Sequence, residues 1–127
     1  MTIKMKAIPA LNDVIGSIAN QKLSFKTSYK LMKLIKEVET EFEYYRENVM
    51  KILEEYGERD SNGNLIQDDG GVKLQKDKID LASKKIQELD EVEVQINSPL
   101  LTLDEMEDIE ISLRELAVLD LIIKKED

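Results

Sequence analysis

The stretch SFKTSYKLMKLIKEVETEFEYYRENVMKILEEYG, residues 24–57, decides the fold. Leu31, Ile35, Val38, Phe42, Tyr45, Val49, Ile52 and Tyr56 recur at steps of 4, 3, 4, 3, 4, 3 and 4. An apolar seam with a mean period of about 3.5 predicts one continuous helix. No Pro or Gly interrupts it. Ser24 or Thr27 suits a cap at the start, and Gly57 suits a left-handed residue just past the end. A helix of about thirty residues extends roughly 45 Å. A seam that long is buried only against partners, within the chain or between chains.

Downstream lies GERDSNGNLIQDDGGV, residues 57–72. Its four glycines and the pair Asn62-Gly63 are turn chemistry. Residues 57–73 are therefore expected as a flexible loop between two main helices, with Leu65-Ile66 and Val72 to Leu74 as the material for a small hairpin or a disordered tip. From about Lys76 to Asp90, Ile79, Ala82, Ile86 and Leu89 repeat at steps of 3, 4 and 3. This second helix pairs antiparallel with the C-terminal half of the first. Glu91 to Ile96 reads EVEVQI, whose strict alternation predicts a half-buried strand. A gapless repeat follows. TLDEMEDIEI, residues 102–111, aligns to SLRELAVLDL, residues 112–121. Each copy opens with Ser or Thr followed three residues on by Glu, the signature of a capping box. The two copies predict short capped helices packed on the N-terminal half of the long helix. Lys124 to Asp127 reads as a polar tail.

Upstream, residues 1–21 form an arm or a short helix. Pro9 suits a first turn, and Leu11, Val14, Ile15 and Ile18 share a face. The expected fold is thus mainly α and a single domain over residues 1–127. It is a helical hairpin with one short strand and a C-terminal pair of short capped helices.

Composition narrows the function. The chain lacks both Cys and His. Thiolate chemistry, Cys-ligated metals, the commonest general base and the His-activated nucleophiles are excluded. No nucleotide-binding glycine loop or nucleophile elbow occurs. The expectation is a non-enzyme with no cofactor and no metal. No run approaches the roughly 20 apolar residues that span a membrane, and a cytoplasmic setting is expected.

Charge is divided unevenly. Residues 1–36 hold seven Lys and one acid, Asp13, for a net of +6; residues 37–127 hold 11 basic and 26 acidic residues, for a net of −15. Lys22, Lys26, Lys30, Lys33 and Lys36 fall within about 120° of helical arc, opposite the seam, with Tyr29 among them. Cations at a helix N-terminus and acids such as Glu54, Glu55 and Glu58 at its C-terminus both oppose the macrodipole. Either acidic segments of the chain compensate the lysines, or the stripe grips an outside partner. Lys26, Tyr29, Lys30 and Lys33 are the candidate partner-binding residues. Nucleic acid is disfavoured, because the net charge is −9 and the stripe lacks the Arg that reads bases. A protein partner, a second copy of the chain included, is favoured. Asp60, Asn62, Asn64 and Asp68 alternate as in a calcium loop, but Leu65 and Gly71 stand where that loop needs Gly and Glu. A solvated turn is expected there.

Three segments carry a resemblance. They are KLSFKTSYKLMKLIK at Lys22 to Lys36, EEYGERDSNGN at Glu54 to Asn64, and LTLDEMEDIEISLREL at Leu101 to Leu116. In kind and order they resemble small helical phage and prophage proteins of unknown function from Gram-positive bacteria. The resemblance implies a phage-encoded interaction protein with an assembly or accessory role, in the host cytoplasm or the virion. It brings no catalytic residues. Two further readings are inhibition of a host defence or nucleic-acid enzyme by the acidic segment 88–110, and a small DNA-binding regulator using the lysines.

Overall fold

The computed structural model describes residues 1–125; Glu126 and Asp127, the end of the expected polar tail, lie outside them. The chain runs β1 (Thr2–Lys4), a turn of 3-10 helix, α1 (Ile8–Ile18), α2 (Phe25–Tyr56), β2 (Gln67–Asp68), β3 (Gly71–Val72), α3 (Ile79–Asp90), β4 (Glu93–Gln95), α4 (Leu103–Met106) and α5 (Leu113–Leu119), then a closing 3-10 turn. It is mainly α. The long helix packs on α1 and α3, and the short C-terminal helices are present.

α2 is one unbroken helix of 32 residues. Ser24 caps it, its hydroxyl accepting from the Thr27 backbone N–H at 3.4 Å. The two halves of α2 are covered differently. Thr27, Leu31, Leu34 and Val38 are buried in the first half. In the second half Phe42, Tyr45, Val49, Ile52 and Tyr56 are only half-buried against α3. The buried face also departs from the expected seam, because Leu34 is fully enclosed while Ile35 is left at the edge. The cause is α1, which lies along the first half and brings Ile8, Leu11, Ile15 and Ile18 into the core. The N-terminal arm is thus an integral core helix. Each such side chain contributes about 1.5–3 kcal/mol by burial.

The predicted strand exists, but it has a partner the sequence pattern did not reveal. β4 pairs antiparallel with β1, Ile3 opposite Val94, and both side chains are buried. Three residues of Thr-Ile-Lys are too short for periodicity to distinguish strand from coil. The segment 57–73, expected as a loop with material for a small hairpin, makes a hydrogen-bonded tip. β2 and β3 pair, and bridges join Gly57 to Leu74 and Arg59 to Leu65.

Gly57 is not left-handed. Its φ is −71° and ψ 148°, an extended residue. What requires glycine is space: a Cβ there would lie 2.5 Å from the Leu53 carbonyl oxygen and 2.6 Å from Leu65 Cδ2.

Both copies of the C-terminal repeat open with the predicted capping box, but α5 packs mainly on α1 and not on α2 as expected, because α1 already covers the N-terminal half of the long helix. Thr102 with Glu105, and Ser112 with Glu115, each close a reciprocal capping box. The segment's ends are zipped together where Leu101 bridges Ile123. Each box glutamate then makes one further contact with the N-terminal helices. Glu105 accepts from Lys30 Nζ on α2 at 2.8 Å, and Glu115 accepts from Ser17 Oγ on α1 at 2.8 Å.

Candidate docking surface

α2 has one face that none of the described residues covers. At 100° per residue, the arc opposite Leu34 and Val38 holds Phe25, Lys26, Ser28, Tyr29, Met32, Lys33, Lys36, Glu39, Thr40, Glu43, Tyr44, Arg46, Glu47, Met50, Lys51 and Glu54. All are exposed. α1, α3 and the capped segment occupy the other side.

The N-terminal end of this face is built by the Ser24 cap. Thr27 turns into the core, so its neighbours Phe25, Lys26 and Tyr29 project outward. Phe25 is 86% exposed, unusual for a large aromatic. Its ring stacks on Tyr29, with centroids 6.3 Å apart and planes 14° from parallel. Lys33 Nζ sits 4.9 Å from the centroid of the Tyr29 ring, a cation–π contact. Phe25, Tyr29 and Lys33 thus form a ladder at i, i+4 and i+8. Beside it a groove of about 360 Å³ opens between the end of α1 and α2. Ile18, Leu23, Leu31, Met32 and Ile35 line it, with Gln21, Lys36 and Glu39 at its rim.

The candidate residues separate into two groups. Lys26, Tyr29 and Lys33 are together on the open face. Lys30 lies around the helix and is spent on Glu105. Lys22 precedes α2 and stands near Asp108 and Glu110. Compensation of the lysines by the acidic segments therefore accounts for Lys30. Among the described residues no carboxylate pairs with Lys26, Lys33 or Lys36. Phe25 escaped the sequence reading because it stands outside the seam. A Phe one turn before Tyr29, on the polar arc of a capped helix, was the available signal.

Other titratable groups serve the fold. Burial pushes the Glu105 carboxyl up, but the hydrogen bonds from Lys30 and from the Thr102 N–H and hydroxyl outweigh it and hold it below its ordinary value. Burial, and then the Asp90 carboxylate, push the Tyr45 phenol up. Asp60 Oδ1 accepts from the N–H groups of Asn62 and Asn64, at 2.9 and 3.0 Å. It thereby organises the turn at Gly63, the solvated turn expected for this segment.

Among the described residues no helix is long and apolar enough to cross a membrane. No protein-family model, curated protein or solved structure matches the chain.

Proposed function

We propose that this chain is a non-enzymatic interaction protein that docks a protein partner along the open face of α2. The observation that carries the reading is the exposed Phe25–Tyr29–Lys33 ladder. A stacked aromatic pair, held outside the core by its own helix cap, loses little freedom on binding and offers apolar area flanked by cations. Lys26 and Lys36 extend the positive rim. The complementary partner is an acidic helical segment with apolar anchors. An assembly or accessory role in a phage or prophage rests on the segment resemblance alone.

The test is a photoreactive phenylalanine analogue placed at Phe25, and separately at Tyr29, in the living cell. Both positions are exposed aromatics, so the fold tolerates the exchange. Illumination is expected to give discrete protein adducts from both positions and none from the tip position Asn62. Absence of adducts at Phe25 and Tyr29 overturns the docking reading.

A further inference from the structure

The open face of α2 is self-complementary. Its cations Lys26, Lys33 and Lys36 precede Glu39, and no acid occurs on it before that residue; two further cations, Arg46 and Lys51, lie among the acids of the second half. Its acids Glu39, Glu43, Glu47 and Glu54 follow. The sign changes between Lys36 and Glu39, within a turn of the Glu39–Thr40 peptide, which lies within about a residue of the midpoint of Phe25–Tyr56. A two-fold axis through that peptide lays two α2 helices antiparallel over their whole length.

From this juxtaposition we infer that the partner on this face is a second copy of the chain, in an antiparallel two-fold dimer. The inference rests on the docking reading above and names its occupant. The axis sets Lys36 opposite the partner's Glu43, Lys33 opposite the partner's Glu47, and Lys26 opposite the partner's Glu54. In each pair the two residues stand equally far from the axis, within one residue; Arg46, at the same distance as Lys33, is paired with Glu43 of its own chain at 2.9 Å. Tyr29 meets the partner's Met50 on the same rule, so apolar atoms also coincide. Every contact occurs twice, as an isologous interface demands. Charge here fixes register and excludes the parallel alternative, which would stack lysines on lysines.

The dimer also gives a reason for a charge layout that works against the isolated helix. Lysines crowd the positive end of the α2 macrodipole, and glutamates its negative end. In the antiparallel pair each lysine cluster lies beside the partner's negative helix end. The arrangement unfavourable within one chain becomes favourable between two.

Sedimentation of the full chain tests this with two variants. One carries Lys33→Glu and Lys36→Glu, the other Glu43→Lys and Glu47→Lys. All four positions are exposed, and far-UV circular dichroism checks that each variant remains folded. The unaltered chain is expected to be a dimer at low salt that weakens as salt rises. Each variant alone is expected to dissociate, its dissociation constant rising at least about tenfold. An equimolar mixture of the two is expected to regain the dimer, because reversed sites then face each other with opposite sign. Tyr29→Ala, which changes no charge, is expected to weaken the dimer as well. A monomeric unaltered chain, or a mixture no tighter than its components, overturns the inference. The docking reading is judged separately. Adducts of this chain with a different protein at Phe25 would uphold it while removing the second copy.

Discussion

Gly57 and Gly16 show how differently one residue type is used. A methyl group at Gly57 meets a backbone oxygen at 2.5 Å, so the end of α2 or the tip must move. Gly57→Ala is expected to destabilise by about 1–3 kcal/mol, the cost of overpacking, read as a lower urea midpoint at unchanged slope. Gly16 lies within α1 with nothing within 4 Å of an added Cβ. Gly16→Ala is expected to stabilise by about 0.5–1 kcal/mol. Glu105 gives a prediction in pH. Its folded pKa lies below the ordinary carboxylate value, so its contribution is complete above that value and is lost as pH falls through the depressed one. The stability difference between the unaltered chain and Glu105→Gln is therefore constant near neutrality and shrinks in acid. A difference that grows as pH falls contradicts this. At the scale of single residues, sequence was informative wherever chemistry is local. Thr102 with Glu105 and Ser112 with Glu115 form their boxes because all the partners lie within one turn. Gly57 was misread because its constraint is steric, from the Leu53 carbonyl oxygen and from Leu65 and Val72 of the tip, and spacing within α2 does not encode where the tip lies.

At the scale of elements, the long helix, the antiparallel α3 and the C-terminal repeat were legible as periodicity. Their covering was less so. The heptad pattern gives the period of α2 but not its rotation, which α1 sets by drawing in Leu34 and leaving Ile35 at a groove. β1 is three residues, and its existence depends on Val94 and Ile96, far along the chain. The two halves of α2 differ in burial, and matched leucines measure the difference. Leu34 is fully buried and Leu53 half-buried. Leu34→Ala is expected to cost about 2–5 kcal/mol, and Leu53→Ala less than half of that, by chemical denaturation. Equal costs would show that α3 and the tip enclose the second half as tightly as α1 encloses the first.

At the scale of the whole molecule, the candidate surface was partly legible. Lys26, Tyr29 and Lys33 do share one open face. Lys30 does not, because Glu105 reaches it from 75 residues away. Phe25, the most exposed large apolar residue of the chain, needed the structure to be seen. The division of charge, evident in composition, acquires a geometric meaning once α2 is an unbroken rod with one free side. In the proposed dimer that division favours two such rods lying antiparallel.

The absence of Cys makes the central claim open to one direct measurement. Thr40→Cys places a single thiol beside the proposed two-fold axis, and Asn62→Cys places one on the tip as a control. Under mild oxidation Thr40→Cys is expected to form a disulfide-linked dimer rapidly and nearly completely, with unchanged helical content, while Asn62→Cys links slowly. Linking at Thr40 no faster than at Asn62 would contradict the account.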